Sequence, residues 1–428
     1  MGAKYKALIA KKHIPITLFI LVLLCELYLP SYKLNFAIQL LTLIWVLFSG
    51  KIIISLRFFK TILPLLLIFL IGFLGYLIDF FPLSATIKDI TYFLKPIIVL
   101  ILSYLLIKKQ NNLFLFFKAI VFLAVFTAFV HLFGLFILGD FTNNSIHELR
   151  GDFGLDNFIE IFAFYILVFS KRFLDSSIIE TRKWYYFIEA ILLVSIYLYF
   201  SRTMLVAFFL IGFSMLGYTK ITKTSLKIIG SVFLFIGISY VYLYSVKIDR
   251  NAKGMEAFLY KIKIAPEEIF KTKIDRENHK ELWDHWRGYE VKRAFELMNE
   301  NPSSYIFGTG FGSLVNLKFK APVGEQDMKY ISRLHNGYVF VLYKTGIVGL
   351  LLLLIFLISL YLKVYSFYKN NSHKIFINRL ISSLGLFYLF TSLIITGIYI
   401  PRDAIIFLLG GLLSFNLLES NSKNVIDR

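Results

Sequence analysis

Apolar runs long enough to cross a bilayer recur from one end of this chain to the other, and they constrain its fold more than any other feature. About twelve of them, each roughly 15–25 residues long, run near 14–30, 34–50, 61–79, 90–107, 113–138, 157–173, 184–200, 202–219, 226–247, 336–360, 378–399 and 403–418. A water-soluble domain of 428 residues that is 58% hydrophobic and only 17% charged has no core large enough to hide them. The solvent for most of the chain is therefore lipid. There the backbone must pair within the chain, so the runs are expected as helices. The predicted fold class is an all-α polytopic membrane protein with about 12 transmembrane helices. The run from Ile14 to Leu29 lacks a small-residue cleavage site and is followed by "ELYLPSYK", so it is expected as a retained first helix rather than a signal peptide.

The net charge of +19 raises nucleic acid as a partner. The positions of the cations supply another cause. With the N-terminus inside, the short inward segments hold 22 Lys and Arg, from Lys4 to Arg428, and the short outward segments hold 6: Lys33, Lys88, Lys95, Arg150, Arg202 and Arg402. That asymmetry predicts both termini in the cytoplasm and no nucleic-acid partner. The single cysteine, Cys25, forms no internal disulfide, and with the seven histidines it shows no metal-ligand spacing. No cofactor and no metal is expected. One connection is long and polar, from Lys247 to His335, and it threads to the outer face. The chain thus divides into helices 1–9 over residues 1–247, a large, partly helical extracytoplasmic loop over 248–335, and helices 10–12 with a short tail over 336–428. No period of 20–50 residues repeats.

Inside the long loop, "NHKELWDHWRGYEVKRAFELMNENP" reads as one helix, rich in good formers and ending at Asn301-Pro302. Leu282, Trp286 and Tyr289 share one face; Arg287, Val291, Ala294 and Met298 share another. Arg287 above an apolar stripe is either a snorkelling arginine on a helix resting on the bilayer or a ligand-facing cation. After the proline comes "YIFGTGFGS", whose Gly308, Gly310 and Gly312 allow a close approach of backbone to a ligand or to another helix. It is not a dinucleotide fingerprint, because no βαβ unit surrounds it.

Among the outward cations are several arginines: Arg150 in "HELRGDFGLDN", Arg202 in "YFSRTML" and Arg402 in "IPRDA", to which the long loop adds Arg276, Arg287, Arg293 and Arg333. They work against the orientation signal, so another requirement must favour them. Arginine presents a planar fork of donors that matches phosphate oxygens, which lysine lacks. Converging with them is a titratable imidazole, His335, at the mouth of the tenth apolar run, beside Asn336. Lys344 lies eight residues further on, about 12 Å down a helix. An intramembrane lysine needs a partner or a wet cavity, and an internal cavity is expected.

Taken in order, these features resemble the bacterial O-antigen ligase and polymerase family. The features are one large outer loop between helices nine and ten, Ser201-Arg202 at an outer helix junction, and an amphipathic helix leading through Pro302 to "FGTGFG". They continue with His335-Asn336 opening a helix that carries Gly346-Ile347-Val348-Gly349, and include an outer "RGDFGLDN" segment from Arg150 to Asn157. The resemblance covers about Arg150 to Leu360. It implies a membrane glycosyltransferase of the bacterial cytoplasmic membrane whose donor is an undecaprenyl-diphosphate-linked oligosaccharide. It implies His335 as general base, Arg202 and Arg287 holding the diphosphate leaving group without metal, and Arg150, Arg293, Arg333, Asn336 and the three loop glycines contacting diphosphate or glycan. Implied partners are membrane lipids and the chain-length regulator and flippase of the same pathway. A repeat-unit polymerase is the first expectation, and a ligase transferring the glycan to lipid A core is the alternative. A lipid-linked oligosaccharide flippase would be a different class. It should show internal repeats and polar residues at the midplane, whereas this chain shows a set of outward arginines and one large outer loop.

Overall fold

A computed structural model describes residues 2–50, 54–78, 81–139, 157–174, 176–249, 255–270, 274, 278–322, 327–366 and 371–416. Arg150 and Arg276 lie outside the described residues. The first part of the chain folds into α1 (Gly2–Tyr28), α2 (Tyr32–Phe48), α3 (Leu56–Ile78), α4 (Leu83–Gln110) and α5 (Leu113–Phe133, extended by a π turn, Gly134–Leu138). Then come α6 (Ile159–Phe173), α7 (Arg182–Leu198), α8 (Arg202–Leu216) and α9 (Lys223–Ser245). The loop region holds α10 (Met255–Phe270), α11 (His279–Asp284), α12 (Trp286–Asn299), α13 (Ser304–Phe307) and strands β1 (Val315–Pro322) and β2 (Asp327–Ile331). The chain ends with α14 (Gly337–Tyr361), α15 (Ser372–Ile394) and α16 (Ile405–Asn416).

Every predicted apolar run overlaps one of these helices. Among the described residues, six helices are long and apolar enough to cross a membrane: α3, α4, α5 with its π turn, α9, α14 with the 3₁₀ turn that follows it, and α15. Shorter apolar helices are α1 from His13, α2, α8 and α16. The starts follow local chemistry. Ser31, Asn112, Ser201, Thr222, Asn336 and Asn371 each accept a bond from the N–H three residues on, satisfying an orphan donor of the first turn. At the centre lies α4, buried along most of its length against α1, α2, α3 and α16, whereas the apolar side chains of α9 face almost wholly outward. Phe93 of α4 joins the functional end of the bundle, with ring centroids 4.8 Å from Phe311, 5.1 Å from Phe340 and 4.6 Å from Tyr399.

Three features differ from the sequence expectation. The tenth helix is broken: Gly346 has φ 68° and ψ −172°, a conformation open to glycine and costly for other residues. The carbonyls freed there, those of Tyr343 and Lys344, accept from the backbone N–H groups of Thr309 at 2.7 Å and Gly310 at 3.1 Å. The glycine turn thus completes the ladder that the break opens, as backbone buried away from water requires. The loop helix is also broken, at His285 (φ −116°, ψ 24°), into α11 and α12. The third is an antiparallel hairpin, pairing Val315 with Ile331 and Asn316 with Tyr330, then shifting register before Ala321–Met328. α12 packs on β1, with the Tyr289 hydroxyl donating to the Leu317 carbonyl at 2.6 Å. Leu282, Trp286, Tyr289, Ala294 and Met298 are buried against protein, so α12 is a packed element and not a helix lying free on a bilayer.

Candidate functional site

The break in α14 and the glycine turn set up the site from below. Lys344 is fully buried and pairs with Asp89 of α4. Its Nζ also donates to the Ser313 carbonyl at 2.6 Å. Asp89 in turn accepts from the Gly312 N–H at 2.7 Å and from the Ser332 hydroxyl. The expected cavity around Lys344 is therefore replaced by a carboxylate and the turn backbone. One ion pair ties α4, α14, the glycine turn and the segment that carries Arg333 and His335. Gly308, Gly310 and Gly312 have φ of 80°, 78° and 90°, and each approaches protein closely. At Gly310 a Cβ would sit 2.6 Å from the Gly75 carbonyl carbon of α3. Of the two approaches the sequence allowed, the turn makes the one to helices.

His335 stands just above this anchor. Asn336, not His335, caps α14: its Oδ1 accepts from the Val339 N–H at 3.0 Å. The histidine is thereby released from the structural task its position suggests. Its Nδ1 lies 3.0 Å from both Glu290 oxygens, and its backbone N–H donates to Glu290 Oε2 at 2.8 Å. Trp286 Nε1 donates to Glu290 Oε1 at 2.7 Å. With Glu290 ionised, a neutral ring facing it carries its proton on Nδ1 and its lone pair on Nε2. Nε2 has no hydrogen bond among the described residues, on a ring that is 46% exposed while Glu290 is 1% exposed. That ring lines a cavity of about 280 Å³, bordered also by Lys88, Tyr92, Ser332, Arg333, Ile395 and Thr396.

Arg202 opens α8 and Arg287 lies in the first turn of α12, and the two converge as the sequence suggests. The anion between them is internal. Arg202 Nη2 is 3.0 Å and Arg287 Nη1 2.6 Å from the carboxylate of Glu268 on α10. Arg202 also donates to the Lys261 carbonyl. Arg287 Nε donates at 2.9 Å to the carbonyl of Ile394, the last residue of α15, and the next residue, Ile395, borders the His335 cavity. Arg287 is thus no snorkelling side chain. It shares α12 with Glu290, one turn away, so the two-arginine cluster and the His335–Glu290 pair occupy neighbouring positions on one helix.

The other predicted contacts divide. Arg333 borders the His335 cavity, its guanidinium carbon 5.3 Å from the centre of the Tyr92 ring. Arg293 is turned to the hairpin, donating from Nε to the Asn316 carbonyl at 2.7 Å and pairing with Glu296, and it does not line the cavity. Three acids that complete the site, Asp89, Glu268 and Glu290, were not among the expectations. An acid in a polar helix reads the same from sequence whether it is solvated or holds a partner. Among the described residues no three His, Cys, Asp or Glu side chains gather as a metal site.

Residues 187–354 match the family model described as O-antigen ligase. No curated protein and no solved structure gives a match. The matched span contains Arg202, Glu268, Arg287, Glu290, Arg333, His335 and Lys344, whereas Lys88 and Asp89 lie outside it.

Proposed function

With residues 187–354 matching the family model described as O-antigen ligase, we propose that the chain belongs to the O-antigen ligase/polymerase family and polymerises surface glycan, joining undecaprenyl-diphosphate-linked repeat units at the outer face of the cytoplasmic membrane. One observation carries this reading. An imidazole, fixed through Nδ1 by a buried carboxylate and free at Nε2, lines a cation-bordered cavity next to two converging arginines. In the proposed step the bond between the sugar anomeric carbon and the diphosphate oxygen breaks, and its electron pair leaves with the diphosphate. The acceptor hydroxyl oxygen bonds that carbon from the opposite face, inverting it, and gives its proton to His335 Nε2. The positive charge gained by the ring faces Glu290. Arg202 and Arg287 meet the charge growing on the leaving group, which competes there with Glu268.

A second reading is favoured by the description of the matched family: a ligase that moves the finished glycan to lipid A core. It uses the same donor, base and leaving group and differs only in acceptor. Purified membranes supplied with lipid-linked repeat unit, with and without lipid A core, separate the two. A gel ladder without core identifies the polymerase, and product only with core identifies the ligase. In the ladder assay His335→Asn should fall roughly 10²–10⁴-fold at unchanged protein level. An Asn variant that extends glycans at near wild-type rate removes His335 as base.

A further inference from the structure

Among the described residues, two cations beside His335 have no anion of their own. Lys88, in the second turn of α4, and Arg333, two residues before His335, both lie by the Tyr92 ring, at 5.9 Å and 5.3 Å from its centroid. Arg333 Nη1 is buried and has no hydrogen-bond partner among the described residues. The two neighbouring carboxylates are already engaged. Asp89 holds Lys344, the Gly312 N–H and the Ser332 hydroxyl; Glu290 holds His335 and the Trp286 indole. Neither Lys88 nor Arg333 forms an ion pair with any described residue. A guanidinium nitrogen withdrawn from water and left unmatched is costly, and a second cation beside it adds repulsion. An oxyanion in the cavity would relieve both, accepting from the planar fork of Arg333 and from the Lys88 ammonium.

We propose that Lys88 and Arg333 form an anion subsite in the His335 cavity, holding a phosphoryl or carboxylate group of the glycan substrate. The assignment of that group to the substrate rests on the glycosyl-transfer reading. This subsite is separate from the Arg202–Arg287 cluster: neither of those arginines, nor Glu268, lines the cavity. The oxyanion has two sources, the diphosphate of a lipid carrier or an acidic sugar of the repeat unit. Lys88 lies near the outer end of α4 by the charge threading, at the depth of lipid phosphates.

The test is ligand-induced thermal stabilisation of the purified full chain in lipid nanodiscs, at fixed ionic strength. Inorganic pyrophosphate and glucuronate are titrated separately. One or both should raise the wild-type melting temperature. Lys88→Gln and Arg333→Gln should each weaken that response about tenfold or more, the effect of losing a charge-assisted hydrogen bond. Lys223→Gln, in the exposed first turn of α9 and outside the cavity, should bind as wild type. A response to pyrophosphate alone assigns the lipid diphosphate, and one to glucuronate alone the acidic sugar; either supports the subsite. Arg333→Lys, which keeps charge and bulk, serves if the Gln variant does not insert, and should bind less tightly than wild type. The proposal is overturned if neither anion stabilises the wild type, or if both Gln variants respond as the wild type does. Because no turnover is read, the two ideas fail separately. A glycan ladder with unaltered pyrophosphate binding in the Gln variants removes only the subsite. Anion binding with neither a ladder nor transfer to lipid A core removes only the glycosyl-transfer reading.

Discussion

Glu290 holds one buried carboxylate against three donors: the Trp286 indole, the His335 backbone N–H and His335 Nδ1. Two of those bonds are conformational, fixing Glu290 against Trp286 and His335 against Glu290. The third concerns charge, because an imidazole that takes a proton on Nε2 becomes a cation facing that carboxylate. Glu290→Gln separates the two. The amide keeps nearly the same shape and one acceptor oxygen, but its NH2 must face either the Trp286 indole or the His335 N–H, so a small loss of melting temperature is expected while fold and donor binding survive. What goes is the charge. A hydrogen bond to a charged group contributes about 1.5–3 kcal/mol, so kcat should drop roughly 10- to 150-fold with KM for the lipid-linked donor unchanged. If the variant instead loses melting temperature and abundance while retaining kcat per folded molecule, Glu290 is only a strut. Arg287 illustrates why such partners escape sequence reading. Its neighbours Glu268 and Ile394 lie 19 and 107 positions away, and nothing in the spacing of "DHWRGYE" points to them.

Helix α14 shows the same split between what a run of residues declares and what its surroundings add. Its apolar length and its Asn336 cap are visible in the chain. Its break at Gly346 is not, because the break is completed from outside, by the Thr309 and Gly310 N–H groups of a turn more than thirty positions earlier. The strand β1 was within reach: Val315, Leu317, Phe319 and Ala321 alternate with polar residues or proline, the pattern of a half-buried strand. The partner of Lys344 was not, since Asp89 lies 255 positions away on α4. That pair is the joint of four elements, so Lys344→Met should destabilise by about 3–5 kcal/mol, the cost of leaving one buried charge unmatched. The double variant Lys344→Met with Asp89→Asn removes both charges and keeps an amide to serve Gly312 and Ser332. It should recover much of the lost melting temperature. Equal damage in single and double variants would show that packing at these sites, rather than charge, holds the joint.

Across the chain, the part most legible in the sequence is the part dictated by solvent. Every predicted apolar run overlaps a helix because lipid leaves the backbone no other economical pairing. The long loop was legible only as polar and partly helical. Its helices and hairpin pack on each other and on the ends of α3, α14 and α15, so their boundaries depend on contacts that no local window contains. Orientation rests on charge alone: 22 cations on one set of short segments against 6 on the other. The proposed glycosyl transfer makes that orientation consequential, since it requires His335 and the cavity on the face where a lipid-linked glycan is presented. In a Cys25→Ala background, Lys320→Cys and Lys223→Cys place one thiol in the exposed part of β1 and one in the exposed first turn of α9. In intact cells, with any outer membrane permeabilised, a membrane-impermeant maleimide should label position 320 at once and position 223 only after the inner membrane is lysed. The opposite order would put the imidazole, its carboxylate and the surrounding cations in the cytoplasm. No arrangement of the same residues there would reach an acceptor glycan on the outer face, and the glycosyl-transfer reading would end with the topology.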